Sequence, residues 1–281
     1  MLADKEAQEE SRASVTAVRS PSKRPLWLSW AFHVRKALLW VHLGYLRLNH
    51  FFSAISRRPR YYAEFSSDRF LREKFFPDFS YHGTLVEVGC ATPRLLSFSQ
   101  HFRENGWRCI GIEPNPQFAE LHRQAGNEIY QAAAADFEAD DVPFKIVEEC
   151  SNYSNSALSA HSFSALSIRE DFARYRGGYV NTLNHREIFV AVRKLDTLLA
   201  DARPSVASVD VVCIDVEGYE LDVMAGFSPD RFGTKVVVLE NLFHKPEYEK
   251  YMQDRGFELV HKMSYNYFFA RRDANFCSKD G

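Results

Sequence analysis

The chain has 281 residues, 46% of them hydrophobic and 26% charged, with a net charge of −2. This is the composition of a soluble globular protein with ample core, enough for one ordinary to large domain plus an appendage. The five cysteines form no CxxC pair, which argues against a zinc-ribbon or disulfide framework.

The charge is unevenly spread. Residues 11–60 carry ten Lys/Arg and no Asp/Glu, so the amino-terminal segment is a separate physical object. Residues 1–24 are polar and Ser-rich and are expected to form a disordered tail. Residues 25–80 read as a basic, Trp-rich helical segment, with Trp27, Trp30 and Trp40 and a helical spacing of Leu39, Leu43 and Leu46. The longest uncharged run, 37–46, is far short of the roughly 20 residues a membrane span needs. Such a segment packs on the domain that follows or, through residues 25–60, makes peripheral contact with an anionic membrane. No nucleic-acid motif is present, so no nucleic-acid partner is expected. The acidic start MLADKEAQEE is no secretory signal, and unpaired cysteines suit a reducing compartment. A cytoplasmic location is the reading, at the inner face of the membrane if the basic segment lies there. The main domain is expected over 81–273, with a short tail over 274–281.

The stretch from Thr84 to Glu113 organises that domain. It reads as strand, tight turn, helix and strand: a β-branched run to Val88, Gly89 at the turn, Thr92 as N-cap, Pro93 at the first helical position, and Leu95, Leu96, Phe98 and Phe102 at helical spacing. Glu113 then stands at the carboxyl end of the second strand, where it can accept both hydroxyls of a ribose. The turn lacks the glycines of a pyrophosphate cradle. A ribose-bearing ligand without phosphates suits it better, and S-adenosylmethionine is the common one.

After Glu113 come Pro114 and Asn115, a helix to about residue 125 and a strand over 128–132. Asp136 follows, either on the adenine side of a nucleoside or as a cap. Strand-like runs at 144–149 and 188–193 flank a long section rich in Ser and Asn, in which Tyr153, Ser164 and His185 are candidates to touch an acceptor. A helix over 195–202 and a strand over 209–214 lead to Asp215 and Glu217. Two carboxylates directly after a buried strand are costly without partners or a task. The tasks open to them are general base, metal ligand or anchor for an ammonium group, unless Asp215 only caps the next helix. A further buried strand over 235–239 ends at Glu240 and Asn241, and the chain closes with a helix and an antiparallel strand pair.

This layout is that of the class I, Rossmann-like methyltransferases, and the chain resembles the FkbM family of S-adenosylmethionine-dependent O-methyltransferases. The residues that carry the likeness are VEVGCA (86–91), GIEPNP (111–116), VRKLDTLL (192–199), IDVEGYELDVMAGF (214–227) and VVVLEN (236–241). The resemblance implies an α/β fold with a mostly parallel seven-stranded sheet, an antiparallel last strand and a helical amino-terminal segment outside the match. It further implies that Glu87, Gly89 and Ala91 line the methionine end of the cofactor. Glu113, with Pro114 and Asn115 after it, would hold the ribose and Asp136 the adenine side, while Asp215 and Glu217 would stand at the active-site rim with Glu240 and Asn241 close by. Many members have Asn and Gly where this chain has Thr92 and Pro93.

The implied reaction is methyl transfer to a hydroxyl of a sugar in a glycan, glycolipid or natural product. Asp215 or His185 would take the proton. Alternatively, a divalent cation held by Asp215 and Glu240 would acidify the hydroxyl. A nicotinamide-dependent dehydrogenase would want a glycine-rich turn and a Tyr-x-x-x-Lys pair, and neither is present. A non-catalytic membrane- or partner-binding protein with a degenerate fold is the other reading, against which Glu113, Asp215 and Glu217 count.

Overall fold

The computed structural model describes residues 59–148 and 184–274, with Gly44 and Phe276 as single positions. The expected disordered tail, the Trp-rich stripe and the acceptor candidates Tyr153 and Ser164 lie outside the described residues. Among the described residues no helix is long and apolar enough to cross a membrane.

Seven strands form one twisted sheet: β1 (Thr84–Val88), β2 (Arg108–Ile112), β3 (Glu128–Tyr130), β7 (Val211–Ile214), β8 (Val236–Glu240), β9 (Phe257–Met263) and β10 (Asn266–Arg271). Their order is β3-β2-β1-β7-β8-β10-β9, and β10 alone runs antiparallel to its neighbours. Strand β7 and β8 up to Leu239 are continuous apolar runs, and β1 is one but for Thr84 and Glu87, because helices cover both faces. Val86, Val88, Val212, Ile214, Val237 and Leu239 point to one face. There they meet α4 (Leu195–Asp201), α5 (Glu220–Ala225), α6 (Pro229–Phe232) and α7 (Glu247–Gln253). Leu85, Cys109, Val211, Cys213, Val236 and Val238 point to the other, against α1 (Ser67–Phe75), α2 (Ser99–Glu104) and Trp107. Helix α3 (Pro116–Gln124) joins β2 to β3.

Two expectations need correction. Helix α2 begins at Ser99 rather than Pro93. Thr92 Oγ1 accepts the Leu95 N–H at 3.2 Å and closes a local turn, and Leu96 adopts a left-handed backbone (φ 62°) where it bridges to Ala63. Leu95, Leu96 and Phe98 therefore serve loop packing, not a helical stripe. Second, the boundary drawn at residue 81 falls inside one core, since Ala63, Leu71, Phe75 and Phe76 pack with Leu85, Val211 and Phe268. The strand-like runs around 144 and 188 stand outside the main sheet. They are parts of β5 (Ala139–Glu148) and β6 (Asn184–Arg193), which with β4 (Ala133–Ala134) form a separate three-stranded sheet over Phe144, Ile146, Val190 and Val192.

Register positions everything that follows. Val88 lies beside Ile112 on one side and Ile214 on the other, and Ile214 lies beside Leu239. The next residue of each chain segment is therefore on one rim: Glu113, Gly89, Asp215 and Glu240, in that order across four strands. The chain winds outward from β1 through β2 to β3, then returns to build β7 and β8 on the opposite side. The rim between β1 and β7 is thus the switch point where open α/β sheets bind ligands.

Candidate active site

The first part of the site is built around Gly89 and Glu113. Gly89 has φ 79°, a region open to glycine, and its N–H donates to Ile112 O at 2.9 Å. The turn it makes brings Ala91 over the end of β2, where Ala91 N–H donates to Glu113 Oε2 at 2.9 Å. Asn115 N–H donates to Glu113 Oε1 at 2.8 Å. Burial nevertheless pushes the Glu113 carboxyl up to about 7, against the pull of those two N–H groups. Each oxygen keeps lone pairs beyond its one backbone donor. Asn115 caps α3 through its Oδ1, which accepts the Gln117 N–H, while its Nδ2 is buried with no hydrogen-bond partner. Pro114 continues the turn between them.

Glu87 is placed differently from a ligand-lining residue. Its carboxylate is buried under the turn and accepts the N–H groups of Phe98 (2.8 Å) and Ser99 (3.1 Å) and the Ser97 hydroxyl (3.2 Å). It thereby caps α2, whose own N-cap position, Phe98, has no side chain for that work. It also ties the segment after Gly89 and Ala91 to β1.

The second part lies after β7 and β8. Asp215 has exposed surface, yet protein packed around its carboxyl group and the Glu220 charge push it up to about 7. It caps no helix. The N–H groups of Val216 (3.1 Å) and Gly218 (2.9 Å) go to Glu220 Oε1 instead, and Tyr248 Oη donates to Glu220 Oε2 at 2.6 Å. Glu220 is therefore a carboxylate with three donors that holds the 216–218 loop. Within that loop Glu217 takes φ 59°, one of several non-glycine left-handed residues on the rim, with Ala91, Leu96, His244 and Ser264.

Glu240 is 7% exposed, and one of its oxygens, Oε2, is buried with no hydrogen-bond partner. Burial raises its carboxyl well above the usual range, and the nearby charges of Asp215, Glu217 and Glu220 add to this. Asp215 and Glu240 are hydrogen-bonded to each other, so one of them carries a proton. That bond favours the charged form of Asp215 and the neutral form of Glu240. One carboxylate oxygen from each of Asp215, Glu220 and Glu240 lies within 4.8 Å of the other two.

Other expected residues are not brought to this centre. Asp136 is exposed beyond β3, and its charge bears on Tyr251 of α7. His185 is in β6, opposite Val147, rather than in a loop. At ~3.3 Å per residue it stands roughly 23 Å along that strand from Val192, where β6 meets β4. Asn241 uses its side chain to hold the 241–245 turn, through Lys245 N and O. Sequence reasoning missed Tyr248 and the cluster role of Glu220. For Glu220 a signal existed, a carboxylate five residues after Asp215 at a helix start. For Tyr248, 28 residues further on, there was none.

One rim thus gathers a buried carboxylate, Glu113, beside a backbone turn and, two strands away, the acid pair Asp215 and Glu240. The model of the methyltransferase FkbM domain matches residues 87–259, well over half of the chain and all of this rim. The chain belongs to the FkbM methyltransferase family. No curated protein matches it closely enough to add a named relative. In this FkbM methyltransferase Thr92 and Pro93 are absorbed into a turn that delivers Ala91 N–H to Glu113.

Proposed function

We propose that the chain is an S-adenosylmethionine-dependent O-methyltransferase that acts on a hydroxyl of a sugar, in a glycan, glycolipid or natural product. The observation that carries this reading is the shared rim of Glu113, Gly89, Asp215 and Glu240. The residues present fit the cofactor: Glu113 is a buried carboxylate with lone pairs to spare, and Gly89 and Ala91 form an open backbone turn beside it. Bound S-adenosylmethionine would supply a methyl group on a positively charged sulfur.

A sugar hydroxyl is a weak nucleophile and must lose its proton as the new C–O bond forms. Asp215 has the exposure to reach it and a pKa near neutrality, which suits a general base at physiological pH. Glu240 holds its proton toward Asp215 and keeps the accepting oxygen oriented. Glu220, fixed by Tyr248, keeps the loop after Asp215 in place. The rim also carries Glu64, whose charge reaches Asp215, and Glu217, whose charge reaches Glu240. Such an acid-rich surface repels phosphorylated or carboxylated acceptors and offers many oxygens to a polyhydroxylated one.

The test is transfer of a labelled methyl group from S-adenosylmethionine to a panel of oligosaccharides, glycolipids and nucleotide sugars. Alkali-stable label on a sugar oxygen, lost in Asp215→Asn, is the expected result. Label found only on amine or thiol acceptors would overturn the assignment to oxygen.

A further inference from the structure

The wall of the rim beside Glu240 carries a bulky residue in a costly conformation. Phe65 lies in the 3₁₀ turn Glu64–Ser66, takes a left-handed backbone (φ 54°) and is 42% exposed. Single exposed hydrophobics are ordinary on a protein surface. A strained one is not, because burial here offsets only part of the cost of the backbone.

A chain of contacts places this turn at the acid pair. Asn266 of β10 pairs with Glu240 of β8, and its Nδ2 donates to Ser67 Oγ at 3.3 Å. Ser67 Oγ in turn donates to Glu64 O at 2.7 Å. From the other side Asn241 N–H, directly after Glu240, donates to Tyr265 O at 2.7 Å. Tyr265 Oη donates to the Glu64 carboxylate, and its ring meets the Phe65 ring edge-to-face, with centroids 5.4 Å apart and planes at 74°. Residues 64–66 and the connection 264–265 between β9 and β10 thus form one wall, in which Phe65, Ser66 and Ser264 all have left-handed backbones. The Glu64 charge reaches Asp215.

We propose that this wall is the acceptor subsite: Phe65, braced by Tyr265, stacks on the C–H face of a pyranose ring, and Glu64 accepts from a ring hydroxyl neighbouring the one presented to Asp215. The chemistry matches on both counts. The C–H groups of a pyranose face carry slight positive charge and suit the negative face of an aromatic ring. Its hydroxyls lie around the edge of the ring, where a carboxylate with about four acceptor sites can take one besides the Tyr265 hydroxyl. A mostly apolar contact with one placed polar group is the usual make-up of a small-molecule site. This subsite deepens the methyltransferase reading and rests on it for the identity of the ring as acceptor.

The experiment uses the full chain, with and without S-adenosylhomocysteine, and the methyl pyranosides of glucose, galactose, mannose, rhamnose and fucose. Binding is followed by saturation-transfer difference NMR. At least one pyranoside is expected to bind saturably, with transfer concentrated on the C–H protons of one ring face. Phe65→Gly should fold, because glycine takes φ 54° without a steric cost. It should keep the affinity for S-adenosylhomocysteine and weaken the pyranoside about tenfold, and Phe65→Trp should restore it. Glu64→Gln should alter the preference among the epimers. No pyranoside binding across the panel would overturn the subsite, and so would equal affinity in the wild type and Phe65→Gly. Pyranoside binding without S-adenosylhomocysteine binding would uphold the subsite and contradict the cofactor reading. The reverse pattern would sink the subsite alone.

Discussion

A β-carbon on Gly89 would lie 1.8 Å from the carbonyl oxygen of Asp215. The turn after β1 and the loop after β7 are thus in direct backbone contact, and the Glu113 side and the Asp215 side of the rim share one seam. Asp215 N–H donates to Val88 O at 3.0 Å on the same seam. Gly89→Ala must therefore part the two strand ends and also place alanine at φ 79°. A loss on the order of 2 kcal/mol or more is expected, seen as a melting temperature lower by roughly 5 °C. Thermal denaturation of the variant checks this, and S-adenosylhomocysteine affinity should fall with it.

Glu113 gives a pH signature to cofactor binding. Its carboxyl is raised to about 7 by burial, and ribose hydroxyls donate best to the ionised form. Ligand binding should thus tighten as pH rises from about 6 to 8, with a slope of up to tenfold per unit below the pKa. Titration calorimetry with S-adenosylhomocysteine across this range is the check, and Glu113→Gln should flatten the profile.

Asp215 sets a stability slope of defined sign. Its folded pKa, about 7, is above its unfolded value. The stability linked to its proton is therefore complete below about pH 4 and is lost as pH rises through 7. Asp215→Asn removes this slope, so its melting temperature should gain on the wild type between pH 5 and 8. Methyl transfer should fall by about 10²–10⁴-fold if Asp215 takes the proton.

Tyr248→Phe removes the hydroxyl that holds Glu220 Oε2. The loss is a hydrogen bond to a buried charged group, roughly 1.5–3 kcal/mol. Activity is expected to drop through kcat as the 216–218 loop loosens, with little change in cofactor affinity. Steady-state kinetics separate the two.

The strand ends were legible because buried β-branched runs such as 236–239 stop at a charged residue, which places that residue on the rim. Glu113, Asp215 and Glu240 could be read in this way. The helix expected from Pro93 could not, because helical spacing of Leu95, Leu96 and Phe98 does not distinguish a stripe from a folded loop. Glu87 was expected at the methionine end only through the resemblance, and its alternating position in β1 turns it under α2. The second sheet depends on β5 pairing with β6 across residues 149–183, and no local pattern encodes a partner that distant. The hold of Tyr248 on Glu220 is likewise a product of packing α7 beside α5.

The central claim is that the Glu113 rim binds S-adenosylmethionine. The most direct measurement is calorimetry with S-adenosylhomocysteine and, in parallel, NAD, on the wild type and Glu113→Ala. The account predicts one site for S-adenosylhomocysteine, at least tenfold weaker in Glu113→Ala, and no heat with NAD. Unchanged affinity in a folded Glu113→Ala sample, or binding of NAD instead, would contradict it.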